Sequence, residues 1–476
     1  MENNKEEFHR SLTLLDGTLL VIGSMIGSGI FIVSSDIARN VGSVGWLIAV
    51  WLISGFITLS AALSYGELSG MYPKAGGQYV YLREAFGKIW GFLYGWAFFA
   101  VIQTGTIAAV GVAFAKFTGY FIPALGEGNI IIGSADGFSI SAAQLLGIGM
   151  IALLTYINSR GVENGKWIQF FFTFAKVAAL VGLIVFGVLM FDDGSVWTNN
   201  WADAWNASKL NITAEMISRE SLTGLTLAAG VGVAMVGALF SSDAWNNVTF
   251  IAGEIKKPER NIGLSLFIGT MVVTLLYVCM NLMYVNTLTI NEMATAPSDR
   301  IAVAAAEKVF GGIGAGIIAG LIMVSTFGCN NGLILSGARV YYTMAKDGFF
   351  VPSAGKLNKK GVPARALWMQ LIWASILCLS GTYGQLLDYL VFTALLFYIL
   401  TISGIFVLRK KQPDMARPYK AFGYPFIPML YIIMAAVICV ILLIYRTETA
   451  GMGLIIVLIG IPIYFYLKKR GLQTDE

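Results

Sequence analysis

The sequence predicts an all-α integral membrane protein of twelve spanning helices, and three observations lead there. Of the 476 residues, 57% are apolar and only 12% charged, about half the charged share of an ordinary soluble domain, and the mean hydropathy is +0.73. Apolar runs of the roughly 20 residues needed to cross a hydrocarbon core of about 30 Å recur along the whole chain. Lys and Arg gather in alternate connections, as they do on the cytoplasmic side of a bilayer. A water-soluble globular protein is excluded, because the polar segments are too few to cover the apolar ones.

Residues 1–13 form a polar tail holding the one histidine, His9, so a histidine relay inside the membrane is excluded. The apolar run that follows is too long for a cleavable signal and has no clear A-x-A site. It is therefore the first span, about 14–38. Further spans fall at about 43–69, 90–120, 140–158 and 167–191, completing a first set of five over 14–191. The 192–222 segment carries Asp192, Asp193, Trp197, Trp201 and Trp205, a composition suited to an interfacial outer loop with short amphipathic pieces. A second set follows over 223–408, with spans at 223–251, 261–285, 312–343, 364–382 and 386–408. The 286–308 segment within it reads as another interfacial loop. Spans at 424–446 and 449–467 and a 468–476 tail complete the chain.

With the N-terminus inside, the Lys and Arg residues falling outside are Arg39, Lys209, Arg219, Arg300, Lys308 and Arg446. Lys116 and Lys176 lie within spans, and the rest of the 32 fall inside. This bias predicts a multi-pass protein of the plasma (inner) membrane with both termini cytoplasmic. Cys279, Cys329, Cys378 and Cys439 are scattered through apolar segments, which suits neither a disulfide framework nor a zinc site. No metal or cofactor is expected, and no nucleic-acid partner, because the basic residues form no block.

Two spans are interrupted. Gly27-Ser28-Gly29 sits midway along the first, and Ser241-Ser242-Asp243-Ala244-Trp245-Asn246-Asn247 breaks the sixth. Each break opens a set of five, and an odd number of helices per set sends the second set into the membrane from the opposite side, the pattern of an inverted repeat around a central site. A broken helix in lipid leaves peptide groups that need polar partners. The amides of Ser28, Gly29 and Ile30 open the second half of span one, where a helix N-terminus favours an anion. Carbonyls left free around Met25, Ile26 and Phe240 suit an ammonium. The pair of poles matches the α-carboxylate and α-amino groups of an amino acid. The alternative is that Gly27 and Gly29 only permit close helix packing, the role assigned to Gly312, Gly316 and Gly320.

The stretch Gly23-Ser24-Met25-Ile26-Gly27-Ser28-Gly29-Ile30-Phe31 resembles the first-helix signature of the amino acid/polyamine/organocation transporters. Tyr65-Gly66-Glu67-Leu68 and Pro73-Lys74-Ala75-Gly76-Gly77-Gln78-Tyr79-Val80-Tyr81 are similar to that family's next motif. Trp245-Asn246-Asn247, Glu254 to Asn261, and Arg339 through Met344 to Gly348 resemble its L-type amino acid transporter branch. The resemblance implies a leucine-transporter-like fold of five plus five inverted helices, with helices one and six broken. It also implies that the Ser28 and Gly29 amides hold the substrate carboxylate, that the carbonyls of Met25, Phe240 and Asp243 receive the amino group, and that Phe240 is the outer gate. Ile102, Thr106 and Ala109, on one helical face, would border the side-chain pocket. Eukaryotic relatives carry a cysteine in the loop between spans three and four for bonding a glycoprotein. The 121–139 loop has none, so no disulfide-linked glycoprotein partner is expected.

Lys176 lies near the middle of its span, where a charge is expensive and must face protein acceptors. Span-one carbonyls near Gly23 and the hydroxyls of Ser325 and Thr326 are the expected partners. By resemblance, its ammonium stands where sodium-coupled members bind a cation. Lys116, near a helix end, reads as a snorkelling side chain. For Asp243 an N-cap on the resumed helix is favoured over a proton carrier.

These readings combine into a sodium-independent amino acid transporter, an exchanger of neutral substrates by alternating access. Proton-coupled symport is the nearest alternative, and a membrane amino acid sensor the alternative of another class. A channel lacks its continuous polar stripe. No H-E-x-x-H, G-x-S-x-G or Walker motif is present, so the chain is not read as an enzyme and no residue is assigned a catalytic role.

Overall fold

A computed structural model describes residues 10–133, 139–191, 193–213, 216–380 and 383–469. His9, residues 134–138 of the loop that lacks a cysteine, Asp192 and the 470–476 tail lie outside the described residues. In chain order the helices are α1 (Leu14–Met25), α2 (Val33–Val41), α3 (Val44–Met71), α4 (Gln78–Phe86), α5 (Lys88–Ala97) and α6 (Gln103–Phe121). They continue as α7 (Ala142–Ser159), α8 (Val162–Met190), α9 (Gly194–Ala202), α10 (Gly224–Ser241), α11 (Asn247–Phe250) and α12 (Pro258–Thr287). The last are α13 (Ile290–Ala294), α14 (Ile301–Lys346), α15 (Ala364–Ser380), α16 (Tyr383–Lys411), α17 (Phe426–Tyr445) and α18 (Thr447–Lys469). Among the described residues, ten helices are long and apolar enough to cross a membrane, with α5 and α6 taken as one. The apolar helices α1 and α15 are shorter; the first is cut short by its break.

Local sequence sets several of these ends. Thr13 and Asp16 form a reciprocal capping box before α1, and Ser141 with Gln144 does the same for α7, each box satisfying amides that the first helical turn leaves open. Gly42 takes a left-handed φ of 55° and closes α2, a conformation that glycine adopts without strain.

The loops are more structured than the sequence suggests. In the loop before α7, β1 (Ile130–Gly133) pairs with β2 (Ser139–Ser141), and the 192–222 segment holds α9 and the antiparallel pair β3 (Ser208–Ile212) and β4 (Ile217–Ser221). It is tied down by Asn200, whose side-chain amide donates to the carbonyls of Val285 and Leu288 at 2.8 and 2.9 Å. The 286–308 segment is not simply interfacial. It contains α13 and the first arm of α14, where Ile301, Ala302, Ala305 and Ala306 are fully buried along one face. Gly311, at φ 72°, kinks α14 after that arm.

The packing role read for three glycines is not realised. A Cβ at Gly312 would meet nothing within 4 Å, and at Gly316 or Gly320 only Phe121 or Tyr120 at ordinary contact distance. These glycines lie on the less buried side of α14, while Ala315 and Ala319 on its other side are fully buried.

Two sets of contacts organise the bundle. Leu12, just before α1, bridges Ile255, just after α11, while at the other end Gly230 of α10 approaches the Asn40 carbonyl of α2. The two interrupted helices therefore run antiparallel. Helices α6, α7, α14 and α15 are joined by carboxamides: Asn158 to Asn331 at 2.8 Å, Asn330 to the Ile107 carbonyl at 3.1 Å, and Gln103 to the Leu333 carbonyl at 2.7 Å. Gln370 reaches the Ile334 carbonyl at 3.3 Å. Such bonds hold helices together where lipid removes the hydrophobic drive for their association.

Candidate substrate site

The two interruptions meet. After α1 the Gly27 amide folds back on the Met25 carbonyl at 2.8 Å, and the chain resumes through a 3-10 turn over Gly29–Phe31 into α2. After α10, the amides of Ser242 and Asp243 bond back to Ala238 and Phe240, Ala244 takes a positive φ of 65°, and helical structure returns at Asn247. A Cβ on Gly29 would lie 2.0 Å from Ser241 Oγ and 2.9 Å from Ser241 Cα. One on Gly27 would lie 2.9 Å from Cys329 Sγ. Close packing, offered as the alternative to a ligand site, is thus a real function of these glycines, and it brings the two breaks against each other.

Tyr277 of α12 joins them further. Its hydroxyl lies 2.9 Å from the Met25 carbonyl and 3.0 Å from the Ser241 carbonyl, one proton serving two acceptors. Tyr284, nearly two turns on, donates to the Ile30 carbonyl at 3.2 Å. The carbonyls around the first break are therefore not vacant: Met25 accepts from Gly27 and Tyr277, and Ile26 from Lys176 and Ser325. The sequence carried no sign of Tyr277, a tyrosine inside an ordinary apolar span.

Lys176 is fully buried. Its ammonium donates to the carbonyls of Gly23 at 2.6 Å, Ile26 at 2.7 Å and Ser325 at 3.3 Å, one acceptor for each N–H. The Gly23 partner is as expected from sequence, but Ser325 offers its carbonyl rather than its hydroxyl, which donates to Ile26 at 3.3 Å. The Thr326 hydroxyl bonds within its own helix, to Ile322 and Met323, and is not among the lysine's partners. A helix-borne hydroxyl facing its own preceding turn satisfies itself there.

Asp243 does not cap the resumed helix. That helix starts four residues later, with Asn246 in the cap position, and the Asp243 carboxylate instead accepts the Tyr398 hydroxyl of α16 at 2.6 Å. Tyr398 also packs against Trp245, with ring centroids 5.4 Å apart. A small, narrow cavity lies beside this pair, bordered by Ile102, Thr106, Asn246 and Asn247 among others. A second small cavity is bordered by Thr58, Ser242, Trp245 and Tyr431. Ile102 and Thr106 thus reach the first cavity, whereas Ala109 is buried and borders neither. Phe240 is buried at the end of α10 and borders neither. Ile102 closes a π-turn over Phe98–Ile102 between α5 and α6, and the carbonyls this turn displaces are taken up by Thr104, bonded to Phe99 at 2.6 Å, and Trp373, bonded to Ala100 at 2.9 Å. Such turns inside helices recur at functional sites.

Both ends of the bundle are pinned by charge. At the Leu12 end, buried Arg339 pairs with buried Glu254 at 2.9 Å, and the Glu254 carbonyl accepts the amides of Ser11 and Leu12. Arg83 and Tyr79 hold Asp347, and Arg409 clasps Glu67 at 2.7 and 2.9 Å. At the opposite end Arg39 reaches Asp299 at 2.7 Å and the Ala294 carbonyl at 3.0 Å. Lys116, expected to snorkel, is only 8% exposed and lies 3.6 Å from the same Asp299, because the segment after α13 folds over it.

Comparison with known proteins agrees with this architecture. The chain is 29% identical over 474 residues to the serine/threonine exchanger SteT of Bacillus subtilis (strain 168), covering 99% of each chain. It is 30% identical over 463 residues to the human cystine/glutamate transporter, covering 97% of this chain and 86% of that one. The human large neutral amino acids transporter small subunit 2 gives the same identity over 463 residues, 96% of this chain and 80% of the relative. These relatives are transporters and exchangers rather than enzymes. A family model described as amino acid permease matches residues 12–464, and the chain, a multi-pass membrane protein, belongs to that family.

Proposed function

We propose that this protein exchanges neutral amino acids across the plasma (inner) membrane by alternating access, without sodium, on two inverted sets of five helices with both termini cytoplasmic. The observation that carries the reading is the meeting of two helix breaks at Gly29 and Ser241, beside a buried lysine held by three carbonyls.

In this reading the substrate carboxylate lies at the amides of Ser28, Gly29 and Ile30, drawn by the partial positive charge of a helix N-terminus. The amino group is received by the carbonyls of Phe240 and Asp243. The Met25 carbonyl joins them when the Tyr277 proton turns to its other acceptor, Ser241. Phe240 closes over the substrate, and Ile102 and Thr106, with Ala109 behind them, border its side chain. Lys176 takes the position of a coupling cation, its ammonium linking the first break through Gly23 and Ile26 to Ser325 of α14, so that no sodium ion is needed to hold it.

Purified protein in sodium-free proteoliposomes tests the reading. External amino acid should stimulate efflux of the loaded one. Net uptake driven by a pH gradient with no internal substrate would replace exchange by proton symport. Binding without flux would indicate a sensor, and a requirement for sodium would overturn the role given to Lys176.

A further inference from the structure

The small cavity beside Asp243 and Tyr398 is lined by several polar side chains, and most of them are already engaged. The Gln78 side-chain amide donates to Thr401 Oγ1 at 3.0 Å, and that of Asn246 donates to Gln78 Oε1 at 3.2 Å. Gln103 is committed to the Leu333 carbonyl, Thr106 to the Ile102 carbonyl at 2.6 Å, and Tyr398 to Asp243. Asn247 differs. It borders the cavity, is 1% exposed, and its Nδ2 has no hydrogen-bond partner among the described residues. Buried donors of this kind are rare in native proteins, because leaving one unmade is costly.

We propose that Asn247 selects the substrate side chain, its Nδ2 donating to the oxygen of a hydroxyl or carboxamide on a neutral polar amino acid. The inference rests on the amino acid reading above and adds the side-chain class to it. A donor requires an acceptor opposite, which Lys and Arg side chains lack. An anionic side chain would face the Asp243 carboxylate on the same wall, an unfavourable pairing at short range. What remains is an uncharged side chain with an oxygen, its methylene groups lying against Phe98, Ile102 and Ala394.

Matched pairs of substrates test this in proteoliposome exchange: threonine against valine, and glutamine against methionine, each pair similar in size and different in its acceptor. The wild-type protein should favour the polar member of each pair. Asn247→Leu should reduce that preference about ten-fold, the size expected of one hydrogen bond, read as the ratio of the two exchange rates within each pair, and measurable exchange of either member reports a folded protein. Asn247→Ser keeps a donor in a smaller side chain and should retain part of the preference even if the leucine variant does not fold. A wild-type protein that favours valine and methionine, or an Asn247→Leu variant that weakens both members of each pair equally, overturns the assignment and leaves the exchange reading standing. A wild-type protein that moves and binds no amino acid overturns both.

Discussion

Gly29 and Gly312 are the same residue type in similarly apolar helices, yet their surroundings set opposite expectations. Alanine at 29 would overlap Ser241 side chain and backbone, and overpacking of this kind typically destabilises by about 1–3 kcal/mol. Gly29→Ala should lower the thermal unfolding midpoint in detergent and abolish exchange. Gly312→Ala meets open space and removes a poor helix former, a gain of up to about 1 kcal/mol; its midpoint should hold or rise, with exchange unchanged. Lys176→Met takes a charged donor from three buried carbonyls. Bonds from a charged donor contribute roughly 1.5–3 kcal/mol each, so the variant should unfold well below the wild type and lose flux even where it still reaches the membrane. An unchanged midpoint would mean that the carbonyls find other donors and that the lysine is not what holds the first break.

Among the elements, the ion pairs at the two ends differ in what surrounds them. Arg339 is completely buried and the Glu254 side chain 4% exposed. Removing one partner of such a pair strands a buried charge, an effect of roughly 3–5 kcal/mol. The Arg39–Asp299 pair is about one-third exposed on each side, and exposed pairs contribute about 0–1 kcal/mol. Glu254→Gln is therefore expected to destabilise the purified protein strongly. Asp299→Asn should change its unfolding midpoint little while altering exchange rate, because it releases α2, α6 and the segment after α13 from a shared carboxylate. Equal losses of stability in the two variants would show that burial does not separate these pairs. The interrupted helices owe their form to the same local rule. Gly27 and Gly29 admit close neighbours, and a polar run at 241–247 supplies side chains where peptide groups lose their ladder.

For the whole molecule, alternating access requires that the pins at the Leu12 end and those around Asp299 do not all stay closed together. Hydrogen exchange followed by mass spectrometry should report amide protection near Leu12 and Ile255 and protection over 290–299 moving in opposite directions when a transported amino acid is added. A change of the same sign at both ends would argue against reciprocal opening. The apolar periodicity and charge bias of the sequence predict a helical membrane bundle, because lipid leaves few alternatives to helices whose length matches its thickness. The positions of both breaks and the need of Lys176 for span-one carbonyls follow from sequence for the same reason: an unsatisfied peptide group or charge in hydrocarbon is too costly to leave alone. Which atoms satisfy them does not. Tyr277, Tyr398 and the Ser325 carbonyl come from helices far away in the chain, Asn247 is singled out only because its neighbours have bonded one another, and Lys116 pairs with a loop that sequence placed at the interface. Such partners are fixed by how helices cross, and crossing depends on side-chain contacts between segments hundreds of residues apart, which no local pattern encodes.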